Sequence, residues 1–147
     1  MKKFKTFGSL VLLLIGFQLS AYAQGNDATA KFKKYINNVV QKVEKAESPD
    51  QKRNILNNSF DNMIDTFDKV SAMKGVSGDD KAAIEKLKST IVEKKNELNG
   101  KNGFAAVKNN RLNSFANYVQ QDLEQADETI TISVTVLLLI IIILLLL

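Results

Sequence analysis

The last 18 residues of this 147-residue chain, Ile130 to Leu147, carry no charge, and everything from Val136 to the end is Val, Leu or Ile. Side chains of that kind must be kept from water, so any fold has to provide a place for this segment. As one continuous helix it would extend about 27 Å, close to the thickness of a bilayer core. A second apolar run lies at the other end, where Lys2, Lys3 and Lys5 precede Phe7 to Leu19 and the small residues Ala21 and Ala23 precede Gln24. That order is the pattern of a secretory signal peptide cleaved after Ala23, with Gln24 as the first mature residue. The sequence therefore divides into a signal peptide (1–23), an extracytoplasmic domain (24–129) and a transmembrane anchor (130–147).

Orientation follows from charge. Asp122, Glu124, Asp127 and Glu128 precede the tail, no basic residue follows Arg111, and the Lys-rich start marks the cytoplasmic side. The expected location is exported and membrane-anchored, which in a bacterium means the periplasm or the cell surface.

The formal charge of +4 belongs mostly to the leader. Three of the 20 basic residues lie there, leaving 17 against 16 acids, and the remaining Lys residues are interspersed with carboxylates. No phosphate-binding stripe results, and nucleic acid is excluded as an expected partner. The chain has no Cys and no His, which removes disulfides, thiolate metal sites and the usual general base near pH 7. An enzyme is not expected, nor is a cofactor or a metal.

Residues 24–129 have the composition of a single all-α domain: one Pro, no Trp and abundant Lys, Glu, Gln, Ala and Leu. Phe32, Tyr35, Ile36, Val39, Val40, Val43 and Ala46 share one helical face in a first helix beginning after Gly25 and Asn26. Ser48, Pro49, Asp50 and Gln51 then form a capping box, with Ser as cap, Pro in the first helical position and Gln in the third. The second helix runs to about Lys74 with Leu56, Phe60, Met63, Phe67 and Val70 in a coiled-coil-like seam, and Gly75 closes it. A third helix starts at Ser77, buries Ile84, Leu87, Ile91 and Leu98, and ends in a left-handed Gly100.

The spacing of Phe104, Val107, Leu112, Phe115, Val119, Leu123 and Ala126 predicts a fourth helix that continues unbroken into the tail. Residues 58–64 resemble residues 113–119, and the same offset of 55 pairs Phe32 with Leu87, Ile36 with Ile91 and Val43 with Leu98. Duplicated helical hairpins and chance similarity between Asn-rich amphipathic helices both account for it. Either way the expected fold is an antiparallel four-helix bundle with a C-terminal transmembrane helix. The apolar faces of four such helices can cover one another, so residues 24–129 are expected to fold as a soluble monomer without the tail.

Asp61, Asp65 and Asp68 sit one turn apart, but they share a polar face with Asn54 and Asn58, and a solvated surface accounts for them without a cation. The expected function is a membrane-tethered interaction or scaffolding module. Its partners are the lipid bilayer through Ile130 to Leu147 and a protein meeting the turns at Glu47, Ser48 and Pro49 and at Lys101 and Asn102. The alternative is a membrane-active protein that inserts or oligomerises as a pore through its tail; against it, the tail has no polar stripe to line water.

Overall fold

The computed structural model describes residues 21–147, so the apolar run of the expected signal peptide lies outside the described residues. The protein is an all-helical bundle with five α-helices among the described residues: α1 (Ala21–Lys45), α2 (Pro49–Ser71), α3 (Gly78–Asn99), α4 (Leu112–Thr129) and α5 (Val134–Leu146), with a 3-10 turn at Asn109–Arg111. Helix α1 packs on α2 and α4, α2 on α3, and α5 lies against α1 and α2. The expected seams are present. Phe32, Ile36, Val40 and Val43 of α1, Leu56, Phe60, Met63, Phe67 and Val70 of α2, and Ile84, Leu87, Ile91 and Leu98 of α3 are all buried.

Local chemistry sets the starts of α2 and α3 and the end of α3. Ser48 Oγ accepts from the Gln51 N–H at 3.2 Å, and Gln51 Oε1 accepts from the Glu47 N–H at 3.1 Å, so both ends of the expected capping box are used. Ser77 caps α3 by accepting from the Asp80 N–H. Gly100 ends α3 at φ +67, and a Cβ there would sit 2.8 Å from the backbone nitrogen of Ala106, so conformation and space both require glycine. Two boundaries differ from expectation. Among the described residues α1 is helical from Ala21 on, since Gly25 weakens a helix by only about 1 kcal/mol without ending it, and α2 ends at Ser71, three residues early.

The fourth helix departs further. Phe104 and Val107 are not helical, and α4 starts only at Leu112. Asn102 and Gly103 adopt left-handed backbone after Gly100, and Arg53 of α2 holds the segment by donating to the carbonyls of Leu98 (2.7 Å) and Val107 (2.6 Å). Phe104 is left 38% exposed. The two hairpins therefore differ in their connections, one short and one long, although Phe60 and Phe115, paired by the offset of 55, are both buried.

The tail is the main correction. Helix α4 does not run on into it: Ile130 (φ −101, ψ 118) and Ser133 (φ −61, ψ 145) are extended, and Val134 begins a separate helix. The sequence Thr129-Ile130-Thr131-Ile132-Ser133 is β-branched but for its last residue, which lowers the cost of leaving the helix. Helix α5 turns back along the bundle and buries Val136, Leu137, Ile140, Ile141 and Leu144 in the same core cluster as the other helices. It has 13 residues, about 20 Å at 1.5 Å per residue. No described helix is long and apolar enough to cross a membrane.

Candidate functional site

Two places in this bundle combine built polar contacts with uncovered surface, one at each end. The first is the seat of the tail. Every residue in α5's first turn is aliphatic or Thr, and the helix has no charged side chain of its own to orient it. Orientation comes from Asp80, in the first turn of α3. One carboxylate oxygen accepts the Ser133 N–H at 2.7 Å; the other accepts the Ser133 hydroxyl at 2.9 Å and the Ser77 hydroxyl at 3.1 Å. Burial alone would push the Asp80 carboxyl up, but the bonds from Ser133 and Ser77 outweigh it and hold the group below the ordinary carboxylate value. The clasp joins two segments 53 residues apart in sequence.

Above the clasp the groove buries one side of α5 and only half-covers the other. Leu145, Leu146 and Leu147 remain 65, 62 and 62% exposed, and Ile142 and Ile143 are only half-buried. A helix lying on a bundle ordinarily shows a polar outer face, and this one is apolar all round.

The second place is the opposite end, where the expected partner-facing residues meet. Glu47, Ser48 and Pro49 form the α1–α2 turn, and Lys101 and Asn102 sit at the tip of the α3–α4 connection. The α2 start ties both regions into one surface. Lys52 Nζ donates to the carbonyls of Val43 and Glu44 and to Asn113 Oδ1 at the start of α4, while Arg53 grips the loop from Leu98 to Asn109. Glu44 of α1 accepts from Asn117 of α4 at 3.0 Å. Phe104 stands exposed on the same loop. Sequence reasoning missed Lys52 and Arg53, because their partners lie on other helices.

The expected cleavage residues Ala21, Ala23 and Gln24 fall in the first turns of α1, where only the backbone is described. The acidic face of α2 is engaged by α3. Asp61 pairs with Lys95, and Asp68 pairs with Lys88 at 2.5 Å.

A third polar cluster was legible in principle. Ile84, Leu87, Ile91 and Leu98 mark a seam with alternating spacings of three and four, and the position between Ile91 and Leu98 is Lys94. Lys94 is buried, and its ammonium donates to Asp122 at 2.7 Å and to the Tyr118 hydroxyl at 2.5 Å, tying α3 to α4. Burial would lower its pKa, yet Asp122 and Tyr118 overcome that and raise it well above the ordinary 10.5. A raised value means that the pairing contributes in full below 10.5 and is lost as pH rises through the folded-state value. Replacing Lys94 with Met is expected to cost about 1.5–3 kcal/mol at neutral pH, the worth of hydrogen bonds to a charged group. Urea melts at several pH values check it. From neutral pH upward the gap between the two proteins should narrow only above pH 10.5, and a gap that closes between neutral pH and 10.5 would contradict the assignment.

Compared with known proteins, the chain matches no protein-family model, no curated protein and no solved structure.

Proposed function

We propose that this protein is an exported helical interaction module held at a bilayer by Ile130 to Leu147, with its far end offered to a protein partner. The observation that carries the reading is the tail: 18 residues without a charged side chain, apolar on every side from Val136 onward, of which the bundle fully buries only one side. Lipid can cover all sides of such a helix at once. Taken as one helix the segment is about 27 Å long, enough for a membrane core with little tilt. The shape of the bundle supports the choice of partner end. Helices of 22 and 23 residues separate the clasp at Ser77 and Ser133 from the turns at Glu47 to Pro49 and Lys101 to Asn102 by about 33 Å. A tether at one end thus presents the other end outward. Loops cross-tied by Lys52 and Arg53 are held in shape, which lowers the entropy cost of meeting a partner.

Expression of the full chain in a bacterium, followed by fractionation and alkaline extraction, tests the tether. The protein is expected to stay with the membrane. Ile142→Lys places a charge on the outward side of α5, where the bundle tolerates it with the amine in water, but within a span it costs up to about 2.5–3.5 kcal/mol. The variant is expected to move to the soluble fraction while keeping its helical circular dichroism. Equal partition of both proteins would remove the tether reading. Efficient dye release from vesicles at sub-stoichiometric protein would favour the pore-forming alternative instead.

A further inference from the structure

The bundle-bound tail and a membrane-spanning tail cannot exist together, and one atom shows why. In a helix continuous from α4 through the tail, the Ser133 N–H would bond to the carbonyl of Thr129, four residues earlier. In the bundle that N–H is given to Asp80 at 2.7 Å, and Ile130 to Ser133 are held out of helical conformation. The α5 helix alone is about 20 Å long; the four linker residues that would extend it to about 25 Å are the residues the clasp withholds. We infer that Asp80 is a latch on Ser133 that keeps the apolar tail stowed against α1 and α2 and sets how readily it passes into a bilayer. This inference rests on the tether reading above and adds its control.

Three features support a two-state arrangement. Both states bury the tail, one in the groove and one in lipid; lipid also covers the half-buried side of α5, which offsets the α1 and α2 faces uncovered when the tail leaves, and the polar bonds add to the balance. The latch is also the polar hold on a segment that has no charge between Ile130 and Leu147. Both Ser133 donors go to one carboxylate, and charge-assisted bonds of this kind are about twice as strong as neutral ones. Finally, Asp80 keeps its Ser77 partner after the tail leaves, so opening does not strand the carboxylate.

The chain has no cysteine, so a single one introduced by Leu145→Cys, at an exposed position, reports on the tail alone when it carries an environment-sensitive dye. The labelled full chain is mixed with vesicles of phosphatidylcholine and phosphatidylglycerol bearing brominated acyl chains, and quenching of the dye gives the rate of tail insertion. In this background Asp80→Ala is expected to insert about tenfold faster, and Ser133→Ala, which leaves α3 untouched and loses one of the two bonds, about threefold faster. Ile91→Val lowers the stability of the bundle without contact to the latch and is expected to insert at the unmodified rate.

Acceleration by Asp80→Ala and Ser133→Ala together, without Ile91→Val, supports the latch. Acceleration by all three would mean that general loosening releases the tail, and equal rates for all would mean that Asp80 does not restrain it; either result overturns the latch and leaves the tether standing. No quenching in any variant removes the tether reading and the latch with it.

Discussion

A chain truncated after Thr129 is expected to lose its cooperative melting transition or to aggregate. Val136, Leu137, Ile140, Ile141 and Leu144 are each no more than 7% exposed and belong to the common core cluster. Burial of such side chains contributes about 1.5–3 kcal/mol each, roughly 7–15 kcal/mol before the entropy of ordering the tail is subtracted. The net is several kcal/mol, on the scale of the about 5–15 kcal/mol that stabilises a whole domain. Truncation also exposes the faces of α1 and α2 on which α5 lies, a continuous apolar surface of the kind that drives association. Thermal melts by circular dichroism and sizing of residues 24–129 and 24–147 measure both effects. A truncated protein that stays monomeric and melts within a few degrees of the longer one would mean that the tail adds nothing to the core. The same measurement separates the two sides of α5. Ile140→Ala is expected to cost about 2–5 kcal/mol, whereas Leu146→Ala, 62% exposed, should fall within about 0.5 kcal/mol of the starting protein.

Phe60→Ala is expected to be the most damaging single truncation in α2. Phe60 is 1% exposed and lines a small apolar cleft with Tyr35, Ile36, Val39 and Val40 of α1, Leu56 and Met63 of α2, and Ala116, Val119 and Leu123 of α4. Three helices meet there, so none can close on the space a benzyl group leaves without losing contacts to the others. The expected cost is about 3–5 kcal/mol, and the melting temperature should drop by more than about 10 °C. Phe104→Ala provides the contrast. The loop leaves Phe104 partly exposed, and its truncation should change stability by about 0.5 kcal/mol or less. A Phe104 effect as large as that of Phe60 would place the aromatic ring in the core and contradict the loop described here.

The helical class, the core seams and the starts of α2 and α3 were legible because they depend on residues close together in the chain. Ser48, Pro49 and Gln51 satisfy one another's end groups within four residues, and the stripe from Leu56 to Val70 expresses the geometry of a single helix. Gly100 was legible as a left-handed terminator for the same reason. The loop before α4 was not legible. Phe104 and Val107 fall at helical spacing with Leu112, and what draws the segment out of a helix is a guanidinium from the other hairpin, 45 residues from Leu98 and 54 from Val107.

The tail shows the same division most plainly. Its sequence determined that Ile130 to Leu147 would leave water, and as a helix past Val134, because nothing in it is charged and its backbone must satisfy itself. A hydrophobic pattern does not distinguish lipid from a protein groove, since both exclude water and neither needs a complementary charge. Only the tertiary structure brings the N-terminus of α3 beneath the groove of α1 and α2, where the Asp80 carboxylate takes both donors of Ser133 and turns the chain back along the bundle.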